Sequence, residues 1–400
     1  MRKNGVNRTL TPISGGVCAP SGFKAGGTAC GLKNQGEKDL AIVLSEKRYP
    51  TAAVFSMGKT IGSPVRVSKR HLKNGLAQAI IVNSGKANVF QDDGETLAEG
   101  ICHLIETKLN VDRTDVLIAS TGTMGESLCI QPFETGVETL AKEISADEKG
   151  SISAARAIMT VDKNPKQLSY AFEIGEFSCK IGAIYKGSNH INPNMSTLIA
   201  VLTTDVNISP QMLQKALETE VRDSFNLINI DGITSPNDTV CIMASGKAGN
   251  CKIEYADSEY KKFCYILREV MMKMCRNIVL DGEIEQKLLE CTVIGAKSKQ
   301  VSRTLAKVVV GSQNVKKILL NNALDANELL FAIANADAEV DFSKMELGIS
   351  SINGEFLLFD AGRALPVSKE IIENILNAKE IKIFIRLGLG NYTSTAFGCY

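Results

Sequence analysis

Thr197 is the residue whose position best suits covalent chemistry, within residues 186–205, KGSNHINPNMSTLIAVLTTD. A polar loop holding Gly187, Asn189, Pro193 and Asn194 runs directly into an apolar strand that opens on Thr197. A strand fixes a hydroxyl at such a junction, while the peptide before it stays strained and accessible. Attack of Thr197 Oγ on the Ser196 carbonyl turns that amide into an ester, which water hydrolyses. Thr197 is then a new N-terminus carrying a hydroxyl and an α-amine on one residue. The amine, with an ordinary pKa of about 7.7–8.0, serves the hydroxyl as general base, so no histidine is required. Spacing alone does not select this reading. Thr is a good strand former, and Lys186 would ordinarily be a solvated lysine at a strand end.

The elements that must position these residues alternate between short β-rich and helical runs. Residues 79–83 (AIIVN) and 116–119 (VLIA) read as buried strands, with apolar positions at helical spacing over 95–109 between them. Helices are expected over 133–144 and 152–159, then a hairpin of 169–174 and 177–185 broken by Gly175 and Glu176. The strand over 197–203 precedes a long helix over 210–228, a strand over 240–244, a helix over 258–280 and an extended run over 288–294. Further on, the pattern predicts helix 301–310, strand 315–320, helix 326–336, helix 369–376 and strand 381–387. Between the last two helices, Asn353-Gly354 marks the turn of a hairpin over 346–359. The whole predicts a mixed α/β (α+β) fold of layered sheets and helices.

Composition excludes several functions. Lys plus Arg number 45 against 44 Asp plus Glu, a net charge of +1, so there is no electrostatic footprint for nucleic acid or an anionic membrane. The N-terminus has no apolar run after its basic residues, and the most apolar stretches are too short to span a bilayer. Eleven scattered cysteines, odd in number and without a C-x-x-C pair, read as reduced thiols of a cytoplasmic protein. His71, His103 and His190 do not pair at ligand spacing, so no metal site is expected. Gly58-Lys59-Thr60 lacks the first glycine of a phosphate loop, because position 53 is Ala53, and reads as a surface loop. Asn237-Asp238-Thr239 alone reads as an exposed turn closed by side-chain hydrogen bonds.

Residues 186–205 resemble the cleavage segment of the ornithine acetyltransferase (glutamate N-acetyltransferase) family, commonly K-G-S-G-M-I-x-P-N-M-A-T-M-L followed by a strand and T-T-D. Lys186, Gly187, Ser188, Pro193, Asn194, Met195, Thr197 and Thr203-Thr204-Asp205 match, whereas Asn189, His190 and Ser196 depart. The resemblance extends to residues 16–39, to TAAVF in 51–72, to NSGKAN at 83–88 and to STGTMG at 120–125. It continues through AIMTVDKNPK at 157–166 and SFNLINIDGITSPNDT at 224–239. Around Glu283 the chain reads DGEIEQK where the family commonly has D-G-E-G-A-T-K, and DANELL at 325–330 stands where it has D-P-N-W-G-R. The segment LGLGNYTSTAFGCY resembles the family's near-terminal strand, beyond which the family supplies an Asn and a Thr that no residue here inherits.

The resemblance implies an enzyme of arginine biosynthesis on a self-processing fold like that of DmpA and ornithine acetyltransferase. Cleavage at Ser196-Thr197 would give an α chain of residues 1–196 and a β chain of residues 197–400, interleaved in one unit and paired as α2β2. Thr197 would take acetyl from N2-acetyl-L-ornithine and pass it to L-glutamate in a ping-pong cycle. Thr121 and Gly122 match the oxyanion stabilisers, and Thr160, Lys186, Thr197 and Glu283 match substrate-binding positions. A lysine such as Lys186 suits an α-carboxylate, and a carboxylate such as Glu283 suits an ammonium. The resemblance implies no metal or organic cofactor and allows acetyl-CoA as a co-substrate, which would make the enzyme bifunctional. Two alternatives stand beside this reading. One is an N-terminal-nucleophile amidohydrolase, or an acyltransferase of another substrate; the other is an uncut, non-catalytic ligand-binding relative.

Overall fold

The computed structural model describes residues 10–187, 198–230, 235–281, 287–322, 324, 326–366 and 368–400. The chain divides into two units. The first takes the described residues of Met1–Gly187, Asn194–Val221 and Thr234–Val270; the second takes those of Arg222–Ile233 and Met271–Tyr400.

The first unit carries strands β1 (Thr11–Pro12), β2 (Phe23–Thr28), β3 (Leu40–Phe55), β4 (Leu76–Asn83), β5 (Val116–Ser120), β6 (Lys166–Ile174), β7 (Phe177–Lys186), β8 (Ile199–Thr204) and β9 (Thr239–Ala244). Its helices are α1 (Ser63–His71), α2 (Gly94–Leu109), α3 (Gln131–Glu143) and α4 (Glu148–Ala157), followed by α5 (Pro210–Arg222) and α6 (Ser258–Leu280). The division between the units falls after Val270, within α6. The strands run in the order β1-β6-β7-β8-β9-β3-β4-β5, with β2 also on β3. Strands β4 and β5 are parallel, as are β8 and β9.

Alternation along the strands explains the two cores of this unit. Leu40, Ile42, Ala79, Ile81, Val116 and Ile118 face Leu97, Ile101 and Ile105 of α2 and Phe133, Val137 and Leu140 of α3. Their neighbours Ala41, Val43, Ile80, Val82, Leu117 and Ala119 turn the other way and pack with Ala154 and Ala155 of α4 and Ile158 beyond it. Residues from β7, β8 and β9, among them Ile184, Val201 and Met243, join this second core.

The second unit carries β10 (Leu288–Ala296), α7 (Lys299–Gly311), α8 (Gln313–Leu320), α9 (Ala326–Ala334), β11 (Glu346–Ser351), β12 (Gly354–Asp360), β13 (Arg363–Ala364), α10 (Lys369–Leu376), β14 (Glu380–Arg386) and β15 (Tyr392–Cys399). Its sheet has the order β13-β12-β11-β14-β10-β15. Residues from β10, β11 and β14 close a core with α7, α9 and α10.

The expected mixed α/β layering is therefore present, with two corrections. The run expected as a strand over 315–320 is helix α8, whose N-cap Ser312 accepts from Val315 N–H. The helix expected over 210–228 stops at Arg222, and Ser224 at φ −136° leads into a short 3-10 turn, Phe225–Leu227. Among the described residues no helix is long and apolar enough to cross a membrane, and the eleven cysteines are free thiols, most of them buried.

Candidate active site

Lys186 closes β7 and lies opposite Ile199 in the antiparallel β7–β8 ladder. A strand-end lysine should reach solvent, yet this one is 1% exposed. Its ammonium is 3.9 Å from Asp162 Oδ2, in a carboxylate that is itself fully covered. Asp162 Oδ1 accepts from Lys166 Nζ at 2.6 Å and from the Gly187 N–H at 3.0 Å; Oδ2 accepts from the Thr160 N–H at 3.0 Å. Burial alone would raise this carboxyl, but Lys186, Lys166 and the hydrogen bonds outweigh it and hold it below the usual carboxylate range. Burial pushes Lys186 down to about 8 against the pull of Asp162; Lys166 and Lys33 deepen the fall and Asp238 opposes it.

Asp238 is the second buried acid near Lys186, and it corrects the reading of residues 237–239 as an exposed turn. Asn237 is 4% and Asp238 0% exposed. Asp238 Oδ1 accepts from the Leu198 N–H at 2.8 Å, and Thr239 N–H returns a bond to the Leu198 carbonyl at 2.9 Å. Asp238 Oδ2 has no hydrogen-bond partner among the described residues. Burial therefore drives this carboxyl well above its ordinary value, although the Leu198 N–H and the Lys186 charge pull the other way.

Thr121 and Gly122 follow β5 at the carboxyl end of the parallel β4–β5 pair, where loops of α/β sheets collect ligands. The loop after β4 locks onto them. Thr121 N–H donates to Asn83 O at 3.0 Å, Thr123 N–H to Gly85 O at 2.9 Å and Ala87 N–H to Thr123 O at 2.9 Å. Gly122 has φ +127°, and a Cβ there would stand 2.2 Å from the Gly85 carbonyl, so only glycine fits. Thr121 is 2% exposed, and among the described residues its Oγ1 has no hydrogen-bond partner. A desolvated donor held this way is the kind of group that meets developing negative charge.

The segment after α4 joins these two neighbourhoods. Ala157 O accepts from Ser84 Oγ at 2.5 Å, Met159 O from Lys33 Nζ at 2.6 Å, and three residues later Asp162 binds Gly187 N–H. Lys33 is positioned by Asp39, a fully buried carboxylate that accepts four backbone N–H groups, from Cys30, Gly31, Leu32 and Lys33, at 2.6–3.1 Å. Thus Thr121, Gly122, Thr160 and Lys186 are brought into one connected set. Ser196, Thr197 and Glu283 lie outside the described residues. Sequence reasoning assigned no part to Asp162, Asp238, Lys33 or Asp39. Asp162 lies in the AIMTVDKNPK segment, but no motif distinguishes a buried aspartate from a solvated one.

A profile of the ArgJ family matches residues 24–400. The chain belongs to the ArgJ family. Among ArgJ relatives, the arginine biosynthesis bifunctional protein ArgJ of Caldanaerobacter subterraneus subsp. tengcongensis is 32% identical over 392 residues, covering 97% of this chain and 96% of its own. A glutamate N-acetyltransferase of Methanocaldococcus jannaschii is 32% identical over 396 residues, with the same coverage of 97% and 96%. The crystal structure of the Bacillus halodurans bifunctional protein ArgJ aligns with 48% of this chain and 98% of its own at 28% identity, with a TM-score of 0.45.

Proposed function

We propose that this ArgJ-family chain cuts itself between Ser196 and Thr197 and then transfers acetyl from N2-acetyl-L-ornithine to L-glutamate, in arginine biosynthesis. One observation carries the reading. The described residues on either side of 188–197 are each held by a buried carboxylate: Gly187 N–H by Asp162 at 3.0 Å and Leu198 N–H by Asp238 at 2.8 Å. Two fixed ends are what an intramolecular attack within the segment requires, because orientation lowers the barrier to ring closure.

In the cut, Thr197 Oγ loses its proton and bonds to the Ser196 carbonyl carbon, while the C–N bond breaks and the nitrogen gains a proton. Water then hydrolyses the ester, leaving chains of residues 1–196 and 197–400 that assemble as α2β2. In turnover, Thr197 Oγ attacks the acetyl carbon of acetylornithine and ornithine departs with the proton. Glutamate's amine next takes the acetyl from the Thr197 ester. Thr121 and Gly122 stabilise the oxyanion in both halves of this ping-pong cycle. Thr160 and Lys186 bind substrate, with Lys186 on the α-carboxylate, and Glu283 takes the ammonium. Acetyl-CoA serves as a second donor in a bifunctional cycle.

Intact-mass spectrometry, with and without N-acetylornithine, tests this. Fragments beginning at Met1 and Thr197 are expected, with an acetyl adduct on the second. Thr197→Ala should stay uncut and inactive; a processed, active Ala variant refutes the mechanism. Acetate release without glutamate would instead identify an amidohydrolase.

A further inference from the structure

We propose that Asp162 is the positioning residue that holds Lys186 in place and charged toward a substrate carboxylate, and that Lys166 tunes how firmly it does so. The inference rests on the reading of Lys186 as the carboxylate clamp. It stands on the geometry of one carboxylate. Asp162 is covered on all sides, takes Lys166 at 2.6 Å, and fixes the backbone N–H groups of Thr160 and Gly187 at 3.0 Å. It therefore sets the peptide groups of Thr160 and Gly187 as well as facing the Lys186 ammonium at 3.9 Å. Lys166 has the shorter contact with Asp162, at 2.6 Å against 3.9 Å for Lys186.

Burial brings Lys186 down to about 8, close enough to neutral pH for its neighbours to decide its charge. The groups acting on it are Asp162 and Asp238, which favour the ammonium, and Lys166 and Lys33, which oppose it. Removing Asp162's charge should discharge Lys186 at lower pH, and removing Lys166's charge should keep it charged to higher pH. A purely architectural role for the pair predicts no such opposition.

The test is calorimetric Kd for L-glutamate between pH 6 and 9 on the purified protein, alongside kcat for transfer. In wild type, Kd should rise as pH passes about 8. Asp162→Asn should move that rise down by roughly one pH unit, and Lys166→Met should move it up by a smaller amount. In Asp162→Asn, kcat at saturating glutamate should change far less than Kd. Shifts of the same sign in both variants, or no shift, overturn the inference. Where Asp162→Asn does not fold, the upward shift in Lys166→Met decides alone. Lys186→Met separates the two layers. If it leaves Kd unchanged, the clamp reading fails and the inference with it. If it weakens binding about tenfold or more while Asp162→Asn and Lys166→Met leave the profile unmoved, the inference alone fails.

Discussion

Asp162 and Asp238 are both buried and act on the same lysine, yet their surroundings push them in opposite directions. Asp162 has two lysines and two backbone N–H groups around it and is held below the usual carboxylate range. Asp238 takes the Leu198 N–H on one oxygen and has no geometric hydrogen-bond partner on the other among the described residues. Burial drives it well up, outweighing the Leu198 and Ser235 backbone groups and the Lys186 charge, which favour its charged form. Burial raises both carboxyls; the cations and donors that each one meets decide whether that push is overcome. The first acid is a fixed anion that organises cations and peptides. The second is a carboxyl pushed well above its ordinary value, with one oxygen that meets no hydrogen-bond partner among the described residues.

The largest expected effect comes from removing the satisfied acid. Asp162→Ala leaves Lys166 and Lys186 buried around a missing anion, and urea unfolding at pH 7 should show a loss of about 3–5 kcal/mol. Because its folded pKa is lowered, Asp162 stabilises the fold above the ordinary value of 3.8, and that contribution disappears as pH falls through the folded value. The variant and wild type should therefore converge in acid. A loss that persists unchanged at low pH would break the contrast.

Thr121→Val comes next and sharpens the contrast from the side of function. The hydroxyl it deletes has no partner among the described residues, so unfolding should change by less than about 1 kcal/mol. Acyl transfer should nevertheless fall by about 100- to 1,000-fold, the usual consequence of losing one oxyanion donor. Full activity in this variant would remove Thr121 from the chemistry.

The smallest effect is expected at Asp238→Asn. A raised folded pKa makes Asp238's contribution to stability greatest below 3.8 and progressively lost as pH rises toward the folded value. The amide cannot ionise, so the variant should match wild type in acid and exceed it near neutrality. Measured by urea unfolding, this is the reverse of the slope at Asp162. A variant that is less stable at pH 7 would show Asp238 to be an ordinary buried anion.

Much of the layering was legible because strands β4, β5 and β8 are short apolar runs bounded by turn residues, and α2 shows plain helical spacing. The stretch at α8 misled because Val315, Ile318 and Leu319 fit either period over so short a run; Ser312, which caps Val315 N–H, was the available signal. The motifs pointed to Thr121, Gly122, Thr160 and Lys186 but not to Asp162 and Asp238, the buried acids near Lys186. Asp238 looked like a turn residue because a sequence shows its polar neighbours Asn237 and Thr239 but not its burial beside the Leu198 N–H. Lys186 looked solvated for the same reason. Burial is a property of the assembled sheet, and a long side chain at a strand end carries no mark of which way it will be enclosed.

Asp39 gathers its four N–H donors from residues only six to nine positions away in the chain. A knot that local closes early and over a short loop, so residues 30–33 lose their conformational freedom while the polypeptide folds. The Lys33 side chain that they support is tied at its far end as well, its ammonium donating to the Lys38 and Met159 carbonyls at 2.9 and 2.6 Å, so both ends are anchored by the chain itself.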